Sequence, residues 1–330
     1  MGDQRPAAIA SVTLNPALDQ AMSIDQVALG ALNRCRLDAL DPGGKGLNAS
    51  RVIARLGRAT IALGFIGGTT GALIRARLDT EEVPHDFDEV AGDTRINIML
   101  YEWVSGRRTR LYPPGPVVDA DRLDSLLERV ARIAAGRIAI LAGSVPPGVS
   151  HLVYRDLVLR LRSQGVRTLV DASGAALESA LDASPELIKP NVEEAGEILR
   201  RALRGDSEVL RAAEELRARG PRCVVISQGA DGAIGVDDSG AWKAIPPKVE
   251  VRSTVGSGDS MTAGLAIALN EERGLAEGLR LGTAAGAATA AVPGTQLGAA
   301  EHIERLLPEV VIRELTHSGP PSPERHTVRP

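Results

Sequence analysis

Hydrophobic and polar positions form alternating helix-like and strand-like blocks along most of the chain. The stretch 122–135 (RLDSLLERVARIAA) places its five leucine, valine and isoleucine residues on one helical face. The stretch 137–143 (RIAILAG) is apolar after its first residue, like a buried strand. The same alternation continues, with short links, to about residue 229. Such alternation is typical of βαβ units, in which helices cover both faces of a parallel sheet. The pattern therefore predicts an α/β fold built on a doubly wound, mainly parallel sheet.

The N-terminal third has a different pattern. The stretch 7–14 (AAIASVTL) fits a first core strand, and 47–57 (LNASRVIARLG) fits a helix. Three further stretches alternate apolar and polar residues with a period of two, which is typical of half-exposed antiparallel strands; they are 33–43, 94–103 and 107–115. We expect them to form a small antiparallel β lid over a cleft.

These patterns predict one domain over residues 1–314, with lid strands inserted at about 20–43 and 94–113. The remaining residues, 315–330, are rich in proline and polar side chains and show no periodicity. We expect this tail to be disordered and to carry no chemistry.

Composition narrows the classes of function. The 330 residues carry a formal net charge of −4 and are only 2% aromatic, which argues against a nucleic-acid partner or a membrane-surface partner. The two cysteines, Cys35 and Cys223, form no CxxC pair. The N-terminus has no signal-peptide pattern, and the apolar stretch 261–270 is too short to cross a bilayer. We expect a cytoplasmic protein.

Four successive predicted strands end in polar or glycine-rich segments. They are 143–148 (GSVPPG), 171–174 (DASG), 189–191 (KPN) and 227–233 (SQGADGA). Each segment alone indicates no more than a turn. Ligands of open α/β sheets bind beyond the carboxyl ends of the strands, so four such segments in a row predict a composite site.

A glycine cluster at 41–50 (DPGGKGLNAS) is a further candidate. Its glycines allow a ligand to approach the backbone, Lys45 supplies a cation, and Asn48 offers a donor and an acceptor. The spacing is not that of a P-loop, and no GxGxxG follows the first strand, which argues against a dinucleotide-binding fold.

Three polar residues near the predicted lid have two interpretations each. Asp19 follows the first strand and either binds vicinal hydroxyls or serves a turn or helix cap. Arg95 and Asn97 lie two positions apart on one strand and therefore face the same side, toward either solvent or the cleft. In the cleft, Arg95 would bind phosphate.

The stretch 253–264 (STVGSGDSMTAG) combines an anion-binding loop with an acid. Gly256, Ser257 and Gly258 can direct backbone N–H groups at an anion, and the following apolar run predicts a helix. Asp259 stands at the start of that helix, where it is either an N-cap or a general base. As a base, it would accept the proton of a hydroxyl while the amides stabilise the transferred phosphoryl group.

Two stretches resemble the signatures of ribokinase-like (PfkB-type) carbohydrate kinases. The stretch 253–264 resembles the second signature, and 42–57 (PGGKGLNASRVIARLG) resembles the first. Further similar motifs follow in order from about residue 8 to 308, including TLNPALD, GSVPPG, DASG, LIKPN, SQGADGA and GTAAGAA. TLNPALD, the lysine of GGKG and GSVPPG resemble the phosphofructokinase, 1-phosphofructokinase and tagatose-6-phosphate kinase branch.

The resemblance implies a role for each motif residue. Asp259 would be the base, and Gly256, Ser257 and Gly258 would form the anion hole. The sugar phosphate would be held by Asp19, Gly43, Gly44, Lys45, Asn48, Arg95, Asn97 and Ser144. The ATP side would be formed by Lys189, Asn191, Glu194, Ser227, Gly229, Gly232 and Gly286. Glu194 would organise Mg²⁺ through water, and the carbonyls of Ser253 and Val255 would contribute to a K⁺ site.

Two positions depart from the common family pattern. Ser253 stands where much of the family has Asp, although the phosphofructokinase branch often has Ser, and Gln296 lies in a less typical stretch. In relatives the lid strands commonly pair between subunits, which implies a homodimer.

The leading hypothesis is ATP-dependent phosphorylation of fructose 1-phosphate or fructose 6-phosphate to fructose 1,6-bisphosphate. Tagatose 6-phosphate, or an unphosphorylated sugar or nucleoside, is an alternative substrate. A sugar-binding sensor on the kinase fold is the alternative outside the enzymes, and it gives little reason to keep Asp259 beside the anion loop.

Overall fold

The structure is a computed structural model that describes residues 9–134 and 138–315. The strands within these residues are β1 (Ile9–Thr13), β2 (Ala17–Ile24), β3 (Arg36–Gly43), β4 (Thr60–Ile66), β5 (His85–Glu89), β6 (Arg95–Glu102), β7 (Arg108–Leu111), β8 (Ile138–Ala142), β9 (Arg167–Asp171), β10 (Leu187–Ile188), β11 (Cys223–Ser227), β12 (Ala233–Asp237), β13 (Gly240–Ile245) and β14 (Val311–Glu314). The helices are α1 (Lys45–Arg55), α2 (Gly68–Thr80), α3 (Ala120–Ile133), α4 (Val153–Arg162), α5 (Gly174–Leu181), α6 (Val192–Leu199), α7 (Gly205–Arg217), α8 (Ser257–Asn270), α9 (Gly274–Ala290) and α10 (Ala300–Leu306).

The main sheet of the described chain has ten strands in the order β14-β13-β12-β11-β10-β9-β8-β1-β4-β5. All neighbours from β5 to β11 run parallel, and β12, β13 and β14 continue the sheet as antiparallel strands. The predicted α/β fold with a mainly parallel sheet is therefore confirmed.

Three hydrophobic clusters lie among the described residues, and the two larger ones lie on opposite faces of this sheet. Along β8, Ala139 and Leu141 belong to one core, whereas Ile140 and Ala142 belong to the other. Successive side chains of a strand point to opposite faces, so a strand that is apolar throughout is buried on both. This explains why the core strands read as continuous apolar runs.

A second sheet of four strands, in the order β3-β2-β6-β7, forms the lid. Its two outer pairs are antiparallel, as predicted, whereas the central pair of β2 and β6 is parallel. The strands β2 and β6 follow β1 and β5 through short connections, and β1 and β5 point the same way in the main sheet. Both lid strands therefore leave the carboxyl edge of the main sheet in the same direction.

The expected tail lies almost entirely outside the described residues, which end at Leu315. Across 9–134 and 138–315, no helix has the length and apolar character needed to span a bilayer.

Candidate active site

The predicted strand-end segments meet at one edge of the main sheet. The strands β8, β9, β10 and β11 are consecutive parallel neighbours, so the segments that follow them lie side by side. The turn after β1 belongs to the same edge, because β1 pairs in parallel with β8. The lid begins immediately beyond it, because β2 follows β1 after a short turn. We call the region where the lid meets this edge the cleft, and many of the candidate residues contact one another there.

Asp259 lies in the first turn of α8 and faces the cleft. The cap of α8 is Gly256, in the left-handed region at φ 77°, and no side chain caps the helix. The N-cap interpretation of Asp259 is therefore wrong. Its Oδ2 instead accepts a hydrogen bond of 2.8 Å from Nδ2 of Asn48. Burial of the carboxyl group, together with the nearby charge of Asp171, raises the pKa of Asp259 to about 6.

Asp171, at the end of β9, holds two lysines beside Asp259. Its Oδ1 lies 2.8 Å from Nζ of Lys45, and its Oδ2 lies 3.0 Å from Nζ of Lys189. The hydroxyl of Thr262 donates to Oδ2 at 2.7 Å. Burial alone would raise the pKa of the Asp171 carboxyl, but the two ammonium groups hold it well below its usual range. Asp171 is thus an ionised, fully paired carboxylate that orients two cations.

Lys189 connects this cluster with the anion loop. A methyl group added to Gly258 would lie 3.6 Å from Nζ of Lys189. The first N–H groups of a helix have no carbonyl partner within it, so the amides at the start of α8 can bind an anion beside this ammonium group. The loop is supported from behind by α9, because a methyl group on Gly286 would lie 3.1 Å from the carbonyl oxygen of Ser257.

Asn191 and Glu194 form a capping box at the start of α6. Oδ1 of Asn191 accepts from the amide of Glu194 at 2.8 Å, and Oε2 of Glu194 accepts from the amide of Asn191 at 2.9 Å. The other oxygen of Glu194, Oε1, lies 3.7 Å from Nζ of Lys45. One carboxylate oxygen therefore fixes the helix terminus, and the other is directed toward the cleft.

The lid contributes Asp19 and Asn97 from adjacent strands. Asp19 lies on β2 rather than in a turn, and its Oδ1 accepts a bond of 2.8 Å from Nδ2 of Asn97 on β6. Both residues are buried, and a methyl group on Gly43 would overlap the Asp19 carboxylate. Burial raises the pKa of Asp19 to about 6, against the opposing effect of the Asn97 hydrogen bond. Asn97 therefore faces the cleft, not solvent.

Arg95 shares that face and is fixed by several acceptors. Its Nη2 donates to the carbonyl oxygen of Asn15 at 2.9 Å and to the hydroxyl of Ser144 at 3.3 Å, and Nη1 donates to the carbonyl of Pro113 at 3.1 Å. The side chain of Asn15 donates to Ser144 at 3.2 Å and to Pro114 at 2.9 Å. Arg95 therefore joins the lid to the segment that follows β8.

Several buried polar atoms around the cleft lack a partner among the described residues. They are Oγ1 of Thr13, Oδ1 of Asn15, Nε of Arg95, Oδ1 of Asn97 and Oγ of Ser257. Buried polar groups are normally hydrogen-bonded, because an unpaired one costs free energy. Their concentration here is the pattern expected of a site that binds a ligand with many hydroxyl or phosphate oxygens.

The segment after β11 builds the opposite end of the cleft. The amide of Ser227 donates to the carbonyl of Pro190 at 3.0 Å, and the amide of Gln228 donates to the carbonyl of Gly232 at 2.7 Å. Gly229 lies between Gln228 and Gly232 in an exposed turn. A methyl group on Gly232 would overlap the carbonyl of Ala244, so this turn packs tightly on β13.

Ser253 connects the anion loop to the segment after α9. Its hydroxyl donates to the carbonyl of Gly294 at 2.6 Å and accepts from the amide of Val255 at 3.2 Å. Gln296 borders a separate surface cavity of about 410 Å³, lined also by Leu37 and Arg77.

Three contributors to the site are not indicated by the sequence patterns. Asp171, Thr262 and Asn15 each lie inside a motif described above, but nothing in the motif itself points to a role for them. A carboxylate at the end of a buried strand was the available signal for Asp171. Lys45 lies 126 positions away and Lys189 follows the next strand of the sheet, so only the fold reveals the pairing.

Comparison with known families assigns the class of protein. A sequence model described as "pfkB family carbohydrate kinase" matches residues 12–302. The chain therefore belongs to the pfkB family of carbohydrate kinases, as the motif resemblance indicated, and it is a phosphotransferase. A kinase of this family uses ATP together with a metal ion.

Individual relatives place the chain within that family. It is 36% identical over 307 residues to the 1-phosphofructokinase of Bacillus subtilis (strain 168), covering 93% of this chain and 100% of that protein. It is 38% identical over 291 residues to the ATP-dependent 6-phosphofructokinase isozyme 2 of Escherichia coli (strain K12), covering 88% and 94%. The crystal structure of phosphofructokinase-2 from E. coli in complex with potassium matches with a TM-score of 0.87 and 36% identity, covering 92% and 99%. The predicted branch and the ribokinase-like fold are confirmed.

Proposed function

We propose that the protein catalyses ATP-dependent phosphorylation of a ketohexose monophosphate, converting fructose 1-phosphate or fructose 6-phosphate to fructose 1,6-bisphosphate. One observation carries this proposal: Asp259, with a pKa of about 6, lies beside the amide loop at the start of α8 and two lysines held by Asp171. The arrangement provides a base for a hydroxyl and positive charge for a phosphoryl group.

The proposed reaction uses Asp259 as the general base. The carboxylate accepts the hydroxyl proton of the sugar while that oxygen forms a bond to the γ-phosphorus of ATP. The bond from the γ-phosphorus to the β–γ bridging oxygen breaks, and ADP leaves. The amides of Gly256, Ser257 and Gly258 stabilise the negative charge of the transferred group, together with Lys189.

The sugar phosphate would occupy the side of the cleft below the lid. Asp19 would accept hydrogen bonds from sugar hydroxyls, and Asn97, which is bonded to Asp19, would complete this side of the pocket. Arg95, with its free Nε and its contact to Ser144, would bind the phosphate group. Gly43 and Gly44 would let the substrate reach the backbone next to Asn48.

ATP would lie at the other end of the cleft. Lys189 and Asn191 would approach its phosphates, and the turn that contains Ser227, Gly229 and Gly232 would line the nucleotide, with Gly286 below the adenine. Glu194 is suited to organise Mg²⁺ through water, because its Oε1 faces the cleft while Asp171 is saturated by its own partners. The carbonyls of Ser253 and Val255 would contribute to a K⁺ site.

The remaining expectations are also proposals. We propose that residues 1–314 form one kinase domain and that two copies associate through their lid strands. A cytoplasmic location agrees with the use of ATP and with two cysteines that form no CxxC pair.

A substrate panel tests the proposed function. Purified protein is assayed for ADP release with fructose 1-phosphate, fructose 6-phosphate, tagatose 6-phosphate and the free sugars, and substrates are compared by kcat/KM. We expect a sugar monophosphate to exceed every free sugar. Binding without turnover for the whole panel would favour a sensor instead.

The base assignment has its own test. Asp259→Asn removes the proton acceptor but keeps the shape of the side chain, so kcat should fall by about 10²-fold or more. The affinity for ATP, measured by calorimetry, should change little. In the wild type, kcat/KM should fall as the pH drops below about 6, because Asp259 and the substrate-binding Asp19, whose pKa values are both about 6, are then protonated. A variant with wild-type kcat would disprove the assignment.

A further inference from the structure

Arg51 is an arginine buried in α1 for which the proposed mechanism has no use. Its side chain is only 1% exposed. Nη2 and Nε donate to the two carboxylate oxygens of Glu81 at 2.6 and 2.8 Å, which is a bidentate pair. Nη1 points the other way and donates to the carbonyl of Pro42 at 2.8 Å and to Oδ1 of Asn48 at 3.4 Å. Glu81 neutralises the charge of Arg51, whereas Nη1 contacts two residues that border the cleft, Pro42 and Asn48.

The Asn48 amide joins Arg51 to the catalytic acid. Oδ1 of Asn48 faces Nη1 of Arg51, and Nδ2 of Asn48 donates to Oδ2 of Asp259. An amide has nearly the same shape after a half-turn, but the reversed amide would direct an oxygen at the Asp259 carboxylate. Arginine has donors and no acceptor, so Arg51 stabilises only the orientation that donates to Asp259.

The second Nη1 contact holds the start of the glycine loop. Pro42 directly precedes Gly43, whose backbone lies against the Asp19 carboxylate. By holding the Pro42 carbonyl, Arg51 fixes the junction between the lid strand β3 and helix α1. One side chain thus connects the base of the lid, the Asn48 amide and the end of α2 at Glu81.

We propose that Arg51 is a positioning residue of the phosphoryl-transfer site, where it orients the Asn48 amide so that Asp259 is held as an ionised base. The inference rests on the proposed function of Asp259. Arg51 itself touches no reacting atom.

Several titratable groups act on Asp259 in addition to the neutral amide of Asn48. The groups that face it are Asp171 from β9, Lys45 from α1, Lys189 after β10, Asp19 from β2 and Tyr112 after β7. Burial and Asp171 raise the pKa of Asp259, whereas the Asn48 hydrogen bond and the two lysines lower it. Reversal of the amide would therefore raise the pKa of Asp259. Arg51 is also close to Asp41 and Arg55. Its charge lowers the pKa of Asp19, so its loss could change the pH dependence of kcat/KM through Asp19 as well as through Asp259.

The decisive experiment is the pH profile of Arg51→Met. The full-length variant is assayed with ATP and the sugar phosphate that the wild type uses best, and kcat/KM is followed from acid to neutral pH. We expect the acid limb, which is the fall of kcat/KM toward low pH, to move to higher pH. We expect kcat to fall about 10-fold, by analogy with the lower end of the effects of residues that orient metal ligands. Arg51→Lys keeps a donor but reaches less far and loses the bidentate pair, so its limb should lie between those of the methionine variant and the wild type.

Two further comparisons separate positioning from loss of stability. Arg129→Met removes an arginine that pairs with Asp86 and Asp88, outside the cleft, and should lower the melting temperature without moving the acid limb. In an Asn48→Ala background, either Arg51 substitution should cause no additional movement of the limb. A movement that persists in that background would mean that Arg51 acts through its charge on Asp19, which would overturn the proposal.

The outcomes also separate this inference from the proposed function. If Asp259→Asn abolishes turnover but both Arg51 variants keep the wild-type limb, Arg51 is not a positioning residue and the function stands. If Asp259→Asn keeps wild-type turnover, the base assignment itself fails. Should the methionine variant not fold, the lysine variant decides alone, because an unshifted limb in it contradicts the proposal.

Discussion

At the scale of single residues, the partners of Lys45 show at which end of the cleft its positive charge lies. The motif resemblance implies a contact with the sugar phosphate. In the structure, Nζ of Lys45 is paired with Asp171 and lies near Glu194, on the side of Lys189. Burial lowers the pKa of Lys45, but the two carboxylates more than offset this and hold it above its ordinary value. Lys45 is therefore a permanent cation next to Asp259.

Lys45→Met distinguishes the two roles. If the cation acts on the transferred phosphoryl group, kcat should fall by about 10²-fold while the KM for the sugar phosphate changes little. Lys45 also lowers the pKa of Asp259, so the acid limb of kcat/KM should move to higher pH. The exposed Lys248 provides a control, and Lys248→Met should keep the wild-type profile. A large rise in KM with kcat retained would instead assign Lys45 to the sugar phosphate.

Local sequence patterns indicate candidate residues better than they indicate which side chains meet. Asp259 and Asn48 both stand out in their motifs, but no local pattern indicates that their side chains meet across 211 positions. The pairing arises because α1 and α8 both begin at the carboxyl edge of the main sheet. Hydrogen bonds of this kind depend on the register of distant elements, which local patterns do not encode.

At the scale of elements, the packing of α8 against α9 positions the anion loop. A methyl group on Gly264 would lie 2.4 Å from the backbone nitrogen of Gly282 and 2.5 Å from its Cα. The two helix backbones are therefore in direct contact at this point. Because Gly286, farther along α9, supports Ser257, a displacement of α9 would reach the loop itself.

Gly264→Ala should separate the two helices. We expect a loss of about 2 kcal/mol in the free energy of unfolding, within the range for overpacked sites, together with a lower kcat. Gly278→Ala is the matched control in the same helix pair, since its methyl group would meet the side chains of Ala268 and Leu265 at 3.3 Å rather than backbone. Denaturant titrations of both variants provide the measurement. Equal stability of the two variants would show that the close backbone contact is not limiting.

The N-terminus of α6 shows how one motif can serve two purposes. The pattern N-x-x-E resembles a metal-organising motif of the kinase family, and it is also the sequence of a capping box. The structure shows the capping box in full. Because Oε1 of Glu194 takes no part in the capping box, the proposed role of this residue near Mg²⁺ is compatible with the cap.

At the scale of the whole molecule, the outer face of the lid carries exposed apolar residues on β6 and β7. Ile96 lies between Arg95 and Asn97 on β6 and so points away from the cleft. Leu111 on β7 is paired with Ile98 and shares that outer face; it is 55% exposed. Exposed apolar patches on soluble proteins mark interaction sites, which supports the proposed homodimer.

Leu111→Glu should dissociate that dimer, because it places a charge on the exposed apolar residues of the lid that would form the interface. Sedimentation should show a dimer for the wild type and a monomer for the variant at the same concentration. Leu159→Glu, on the exposed side of α4 and away from the lid, is the control and should remain dimeric. A monomeric wild type would refute the dimer, and a dimeric Leu111 variant would place the interface elsewhere.

By itself, the sequence determined the alternation of helices and strands in the α/β core, the presence of a separate lid and the motifs in which most of the candidate site residues lie. These follow from hydrophobic periodicity and from motifs a few residues long, both of which are local properties. Tertiary structure alone decided that the central lid strands run parallel, that Asp171 joins Lys45 to Lys189, and that Arg51 reaches Asp259 through Asn48. Each of these depends on contacts between elements distant in the chain, whose relative positions are set by the packing of the whole sheet and its helices.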